Sequence, residues 1–119
     1  MCGIAGVISL NGDPVVQLGE RLAVMSRLIE HRGPDERGRQ QTREMSLGMT
    51  RLSINDIEGG SQPYYSEDRS VSAVFNGEIY NFQSLRAECE AAGDVFRSRS
   101  DTEVILALYR RYGEGCVQR

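Results

Sequence analysis

At 119 residues the chain has room for one small domain, and an apolar fraction of 39% supports a modest core. Its net charge of −3 arises from 14 basic and 17 acidic residues interspersed along the sequence. That pattern excludes the basic footprint of a nucleic-acid binder and the polybasic patch of a membrane-surface protein, and it favours a small polar substrate.

The longest apolar-rich run, Gly3 to Leu10, is too short to cross a bilayer, and no basic segment precedes it as in a secretory signal. The expected location is the cytoplasm. Cys2, Cys89 and Cys116 cannot all pair within one chain and show no metal-ligand spacing. With His31 as the only histidine, neither a zinc site nor a Ser-His-Asp triad has its raw material.

In chain order, Gly3 to Leu10 reads as a buried strand that ends in the turn signal Asn11-Gly12-Asp13-Pro14. Leu18, Leu22, Met25 and Ile29 then recur on one helical face, which predicts a helix over about 15–30 and a core stripe along it. Arg32-Gly33-Pro34-Asp35 breaks that period and forms a loop, because proline lacks a backbone donor and biases Gly33 away from helix. Met45 to Ile54 reads as a strand pair or a bent strand, and Glu58 to Asp68 as a polar connection. Val71 to Phe75 is a further strand, running into the turn Asn76-Gly77-Glu78.

Asn81 is placed to cap a helix whose apolar face is Phe82, Leu85, Cys89 and Ala92, with Gly93 as its left-handed stop. Val95 to Arg97 reads as a short strand. Ser100-Asp101-Thr102-Glu103 has the spacing of a capping box ahead of a helix bearing Val104, Leu108 and Tyr112. No closing strand follows at Gly115 to Arg119, so the expectation is an incomplete domain.

Cys2 has chemistry that an internal cysteine lacks. Once Met1 is removed, which the small following side chain permits, one residue carries both a thiol nucleophile and a free α-amine. Amines of that kind and thiols titrate within about a unit of each other. The amine can therefore exchange the proton of the thiol, and the nucleophile needs no histidine.

Five blocks occur in order: Met1-Cys2-Gly3-Ile4-Ala5-Gly6, His31-Arg32-Gly33-Pro34-Asp35, Arg51-Leu52-Ser53-Ile54, Phe75-Asn76-Gly77-Glu78-Ile79-Tyr80-Asn81, and Ser100-Asp101-Thr102-Glu103-Val104-Ile105-Leu106. Together they resemble the class II glutamine amidotransferases, in particular the glutamine-hydrolysing asparagine synthetases. The resemblance implies an α+β fold, the N-terminal-nucleophile four-layer αββα sandwich, truncated here before its later strands. It further implies that residues 1–119 are the amino-terminal part of a type-2 glutamine amidotransferase domain, with an ATP-dependent synthetase domain absent from this chain.

On that resemblance the chain releases ammonia from glutamine through a thioester on Cys2, for ATP-dependent amidation of aspartate to asparagine. Asn76 and Gly77 match the oxyanion hole, one through its side-chain amide and the other through its backbone N–H. Arg51 matches the residue that receives the glutamine α-carboxylate, a task suited to the two parallel donors of a guanidinium. Leu52, Ser53, Ile54 and Asn55 would line the pocket, and Glu78 and Asp101 would face the substrate ammonium. Asp101 can serve the capping box as well. The Arg-Gly-Pro-Asp loop is given a structural role near the site and no chemistry. One departure from the family pattern is Met49-Thr50, where a histidine and a basic or acidic residue often precede the Arg-Leu-Ser-Ile block.

No cofactor is implied for this chain itself, while ATP and Mg2+ belong to the synthetase domain. The implied partners are glutamine and that domain, with no nucleic acid and no membrane, and a homodimer is left open. Two other readings stand beside the first: an amidotransferase for a sugar or another carboxylate acceptor, and an inactive truncated fragment.

Overall fold

The structure, a computed structural model, describes residues 2–52 and 61–119. Its architecture is α+β with small antiparallel sheets, and it divides into two compact units. The first comprises residues 2–52, 61–63 and 74–76, and the second residues 64–73 and 77–119.

In the first unit, strands β1 (Gly3–Ile8), β2 (Glu36–Gln41) and β3 (Met45–Arg51) form an antiparallel sheet in the order β1-β3-β2. Helix α1 (Leu18–Leu28) packs on β1 and β3. Gly48 makes room for it, since a Cβ there would come within 2.8 Å of Leu22 Cδ1. Because side chains alternate along a strand, Ser46 and Thr50 share that helix-facing side with Gly48, whereas Met49 and Arg51 point to the other side. Leu18 and Leu22 are buried as the helical period requires, while Met25 and Ile29 are only half-buried.

The second unit holds β4 (Tyr64–Tyr65), β5 (Ser72–Ala73), α2 (Phe82–Ala91) and α3 (Glu103–Tyr112). Its core is Leu85, Cys89, Val104, Ala107 and Leu108, with Ile79, Phe82, Phe96 and Cys116 packed around it. Gly93, read from sequence as the stop of α2, takes φ +97°, and Gly113 takes φ +55° after α3.

Several local expectations are corrected. The predicted first helix begins later, at Leu18, and its last turn tightens into a 3-10 turn at Glu30–Arg32. Strand β2 has no counterpart among the predicted elements: Glu-Arg-Gly-Arg-Gln-Gln shows no apolar alternation, and its partner β3 imposes the extended conformation. The predicted strand over 71–75 contracts to Ser72–Ala73, and 95–97 is not a strand. The capping box does not close: the Glu103 carboxylate instead accepts from the N–H groups of Arg97 and Ser98, both at 2.9 Å, and from the Ser98 hydroxyl at 2.7 Å. Asn81 precedes α2 without a side-chain cap, its amide donating to the Arg119 carbonyl. Among the described residues, no helix is long and apolar enough to cross a membrane.

Candidate active site

The β1–β3 ladder places the nucleophile candidate. Gly3 pairs with Thr50 at the end of the ladder, so Cys2 and Arg51 flank that pair. The Cys2 sulfur lies 3.4 Å from the Leu52 nitrogen, which donates to it, and 3.6 Å from the Leu52 carbonyl oxygen. Gly3 is required here by close approach, as a Cβ would sit 2.7 Å from Thr50 Oγ1. That hydroxyl in turn donates to the Ile29 carbonyl at 3.1 Å, fastening β3 to the end of the first helix.

The Arg-Gly-Pro-Asp loop wraps the far end of β3. Gly33 lies so close to the backbone of Thr50 and Arg51 that no side chain fits between them. The Asp35 N–H donates to the Arg51 carbonyl at 3.0 Å. Arg32 reaches across to donate through Nε to the Cys2 carbonyl oxygen at 3.1 Å. The structural role read for this loop therefore acquires a specific object, the Cys2–Arg51 pair. Arg32 as a contact of Cys2 was not foreseen, since nothing in its spacing reveals which carbonyl it meets.

Arg51 itself is 5% exposed and pairs through Nη1 with Glu36 Oε2 at 3.1 Å. Those two residues are opposite each other in the β2–β3 register. Leu52 is half-buried next to them, whereas Ser53, Ile54 and Asn55 lie outside the described residues.

Asn76 belongs to the same unit as Cys2 and is half-buried. Its predecessor Phe75 is held by both ends of one side-chain amide: the Phe75 N–H donates to Gln62 Oε1 at 2.6 Å, and Gln62 Nε2 donates to the Phe75 carbonyl at 3.1 Å. Gln62 thus imitates a strand partner for the residue just before the oxyanion candidate. Its own carbonyl covers Gly38 in β2, where a Cβ would collide with it. Sequence reasoning gave Gln62 no role, and a polar residue in a connection carries no signal that would have.

Gly77 and Glu78 are exposed members of the second unit, Gly77 forming a bend. There the Ile79 N–H donates to Asp101 Oδ2 at 2.8 Å, which ties Asp101 to the residue after Glu78. The proposed pair of acidic positions is thereby linked through one backbone bond. The Thr102 hydroxyl also donates to Asp101, at 3.3 Å. A hollow of about 190 Å³ in this unit, bounded by Tyr65, Phe96, Glu103 and Arg110, is lined by none of the candidate residues. Among the described residues no group of His, Cys, Asp and Glu side chains is placed to hold a metal ion.

The family model described as a glutamine amidotransferase domain matches residues 1–119. The chain belongs to that family. Similar proteins include the glutamine-hydrolysing asparagine synthetase 1 of Bacillus subtilis, 45% identical over all of this chain and 19% of that protein. Asparagine synthetase B of Escherichia coli is 44% identical over 95% of the chain and 20% of its own length. The amidase chry2 of Gibberella zeae is 40% identical over 95% of the chain and 18% of its own length. The chain thus spans about a fifth of the length of these curated relatives. Within this glutamine amidotransferase domain, Cys2 and the buried Arg51 flank the Gly3–Thr50 pair.

Proposed function

We propose that this chain hydrolyses glutamine with Cys2 as nucleophile, supplying ammonia for the synthesis of asparagine. The observation that carries the reading is that Cys2 and the buried Arg51 flank the Gly3–Thr50 pair at the end of the β1–β3 ladder, in a chain of the amidotransferase family. With Met1 removed, the Cys2 sulfur attacks the side-chain carboxamide carbon while its proton passes through the α-amine. The C–N bond breaks, that proton leaves with the departing ammonia, and a thioester remains. Water then attacks the thioester carbon, giving glutamate and returning a proton to the thiol.

In this scheme Arg51 receives the α-carboxylate, Glu78 and Asp101 face the ammonium, and Leu52, Ser53, Ile54 and Asn55 line the pocket. The Asn76 amide and the Gly77 N–H receive the oxyanion, each such donor being worth about 2.7 to 4 kcal/mol of transition-state stabilisation. Residues 1–119 would be the amino-terminal part of a type-2 amidotransferase domain with the αββα sandwich. The ammonia would pass to an aspartyl-adenylate made with ATP and Mg2+ by a synthetase domain beyond this chain, in the cytoplasm. Names of the bacterial relatives support aspartate as the acceptor.

A second reading keeps the glutaminase step and changes the acceptor; one relative is named as an amidase and not as an asparagine synthetase. Product analysis on the natural full-length protein separates the two. The nucleophile is tested with an electrophilic glutamine analogue: peptide mapping should find the adduct on Cys2, and Cys2→Ala should abolish glutaminase turnover. An adduct elsewhere, or normal turnover by the variant, sinks the proposal.

A further inference from the structure

Glu36 lies one residue beyond the Arg-Gly-Pro-Asp loop and was assigned nothing by its sequence. We infer that Glu36 is a positioning residue for glutamine binding, its carboxylate orienting the Arg51 guanidinium that receives the substrate α-carboxylate. The inference rests on the reading of Arg51 given above.

Four observations converge on it. The two residues are direct partners in the β2–β3 register, so their side chains leave the same face of the sheet. Arg51 Nη1 meets Glu36 Oε2 at 3.1 Å. Arg51 is 5% exposed, and a guanidinium taken out of water needs a counter-charge to stay ionised and fixed in place. Glu36 is half-buried, so its carboxylate can supply that charge without being fully desolvated itself.

The geometry also separates this role from that of its neighbours. Gly33 and Asp35 engage the backbone of Arg51, through close packing and through the 3.0 Å bond to its carbonyl. Glu36 engages the side chain. A guanidinium has five N–H donors in one plane, and fixing Nη1 fixes the direction of the rest. The Cys2 sulfur takes its contacts from the Leu52 backbone, so the position of the nucleophile does not depend on Glu36. Loss of the carboxylate should therefore weaken substrate binding in ground and transition state alike, which raises KM and spares kcat.

The test is a double-mutant cycle on the natural full-length protein, reading glutaminase KM and kcat. Arg51→Lys should raise KM, which checks the underlying reading. Glu36→Gln should raise KM about tenfold, the effect typical of losing one charge-assisted hydrogen bond, with kcat changed by no more than about threefold. The double variant should be no worse than Arg51→Lys alone, and Glu36→Asp should recover part of the affinity. Glu36→Ala, which admits water beside the guanidinium, replaces Glu36→Gln if the latter does not fold.

A normal KM in Glu36→Gln with a raised KM in Arg51→Lys overturns this inference and leaves the role of Arg51 standing. A normal KM in Arg51→Lys overturns both. A fall in kcat at unchanged KM, additive effects in the double variant, or failure of both Glu36 variants to fold would make Glu36 a structural counter-ion and overturn the inference.

Discussion

Arg32 Nε donates to the carbonyl oxygen of Cys2 at 3.1 Å, joining the loop after the first helix to the residue that carries the thiol. This bond crosses 30 positions of sequence. It holds the backbone of Cys2, while Leu52 contacts its sulfur. Removing it in Arg32→Ala should reduce glutaminase kcat/KM by about ten- to a hundredfold, the equivalent of about 1.5 to 3 kcal/mol for a hydrogen bond to a charged donor. Arg32→Lys should recover little, since an ammonium lacks the in-plane Nε donor. Steady-state kinetics on folded variants checks this, and equal activity of all three proteins would dissociate Arg32 from Cys2.

Gly33→Ala should destabilise the protein by about 1 to 3 kcal/mol or prevent folding, because overpacking against backbone cannot be relieved by rotating a side chain. The added Cβ would stand 2.5 Å from the Arg51 carbonyl carbon. Gly115→Ala, where nothing lies within 4 Å, is the matched control and should melt as the parent does. Thermal unfolding of the two variants side by side gives the comparison.

Gln62→Ala removes both hydrogen bonds to Phe75 and leaves that backbone to find other partners. Two unsatisfied groups at about 1 kcal/mol or more each predict a stability loss of about 2 kcal/mol. If Asn76 stabilises the oxyanion, the same variant should lower kcat more than it raises KM. Kinetics alongside denaturant unfolding distinguishes the two effects, and an unchanged midpoint would show that the Gln62–Phe75 pairing contributes nothing.

Asp68 is held down to about 2 from an ordinary 3.8, chiefly by hydrogen bonds from the hydroxyls of Ser66 and Ser70 and from the Ser70 N–H. The ionised form is the one the turn prefers. Its contribution is therefore complete above the ordinary carboxylate range and fades as pH falls from about 4 to about 2. An NMR titration should place the Asp68 midpoint near the lower end, and Ser66→Ala should move it upward. A midpoint at the ordinary value in the parent protein would contradict the turn geometry.

What could be read directly from the residues was whatever depends on chemical type at a fixed spacing. Cys2 at the second position, the Leu18 and Leu22 stripe and Gly93 as a helix stop declare themselves in the linear order, whereas the role of Arg51 comes from the family resemblance. The capping box illustrates the limit of that method. Ser100 and Glu103 have the right separation, yet the Glu103 carboxylate finds three donors at Arg97 and Ser98 and turns to them instead.

Sequence by itself determined the family and named the candidate reacting groups, because nucleophilicity and donor geometry are properties of side chains. Only the tertiary structure decided that Glu36 faces Arg51, that Gln62 braces Phe75, and that Glu-Arg-Gly-Arg-Gln-Gln is a strand. Those outcomes come from pairing between segments distant along the chain, where the partner strand supplies the hydrogen bonds and the register. No local preference in β2 encodes them, since a polar hexapeptide becomes extended only when a neighbouring backbone offers it a ladder.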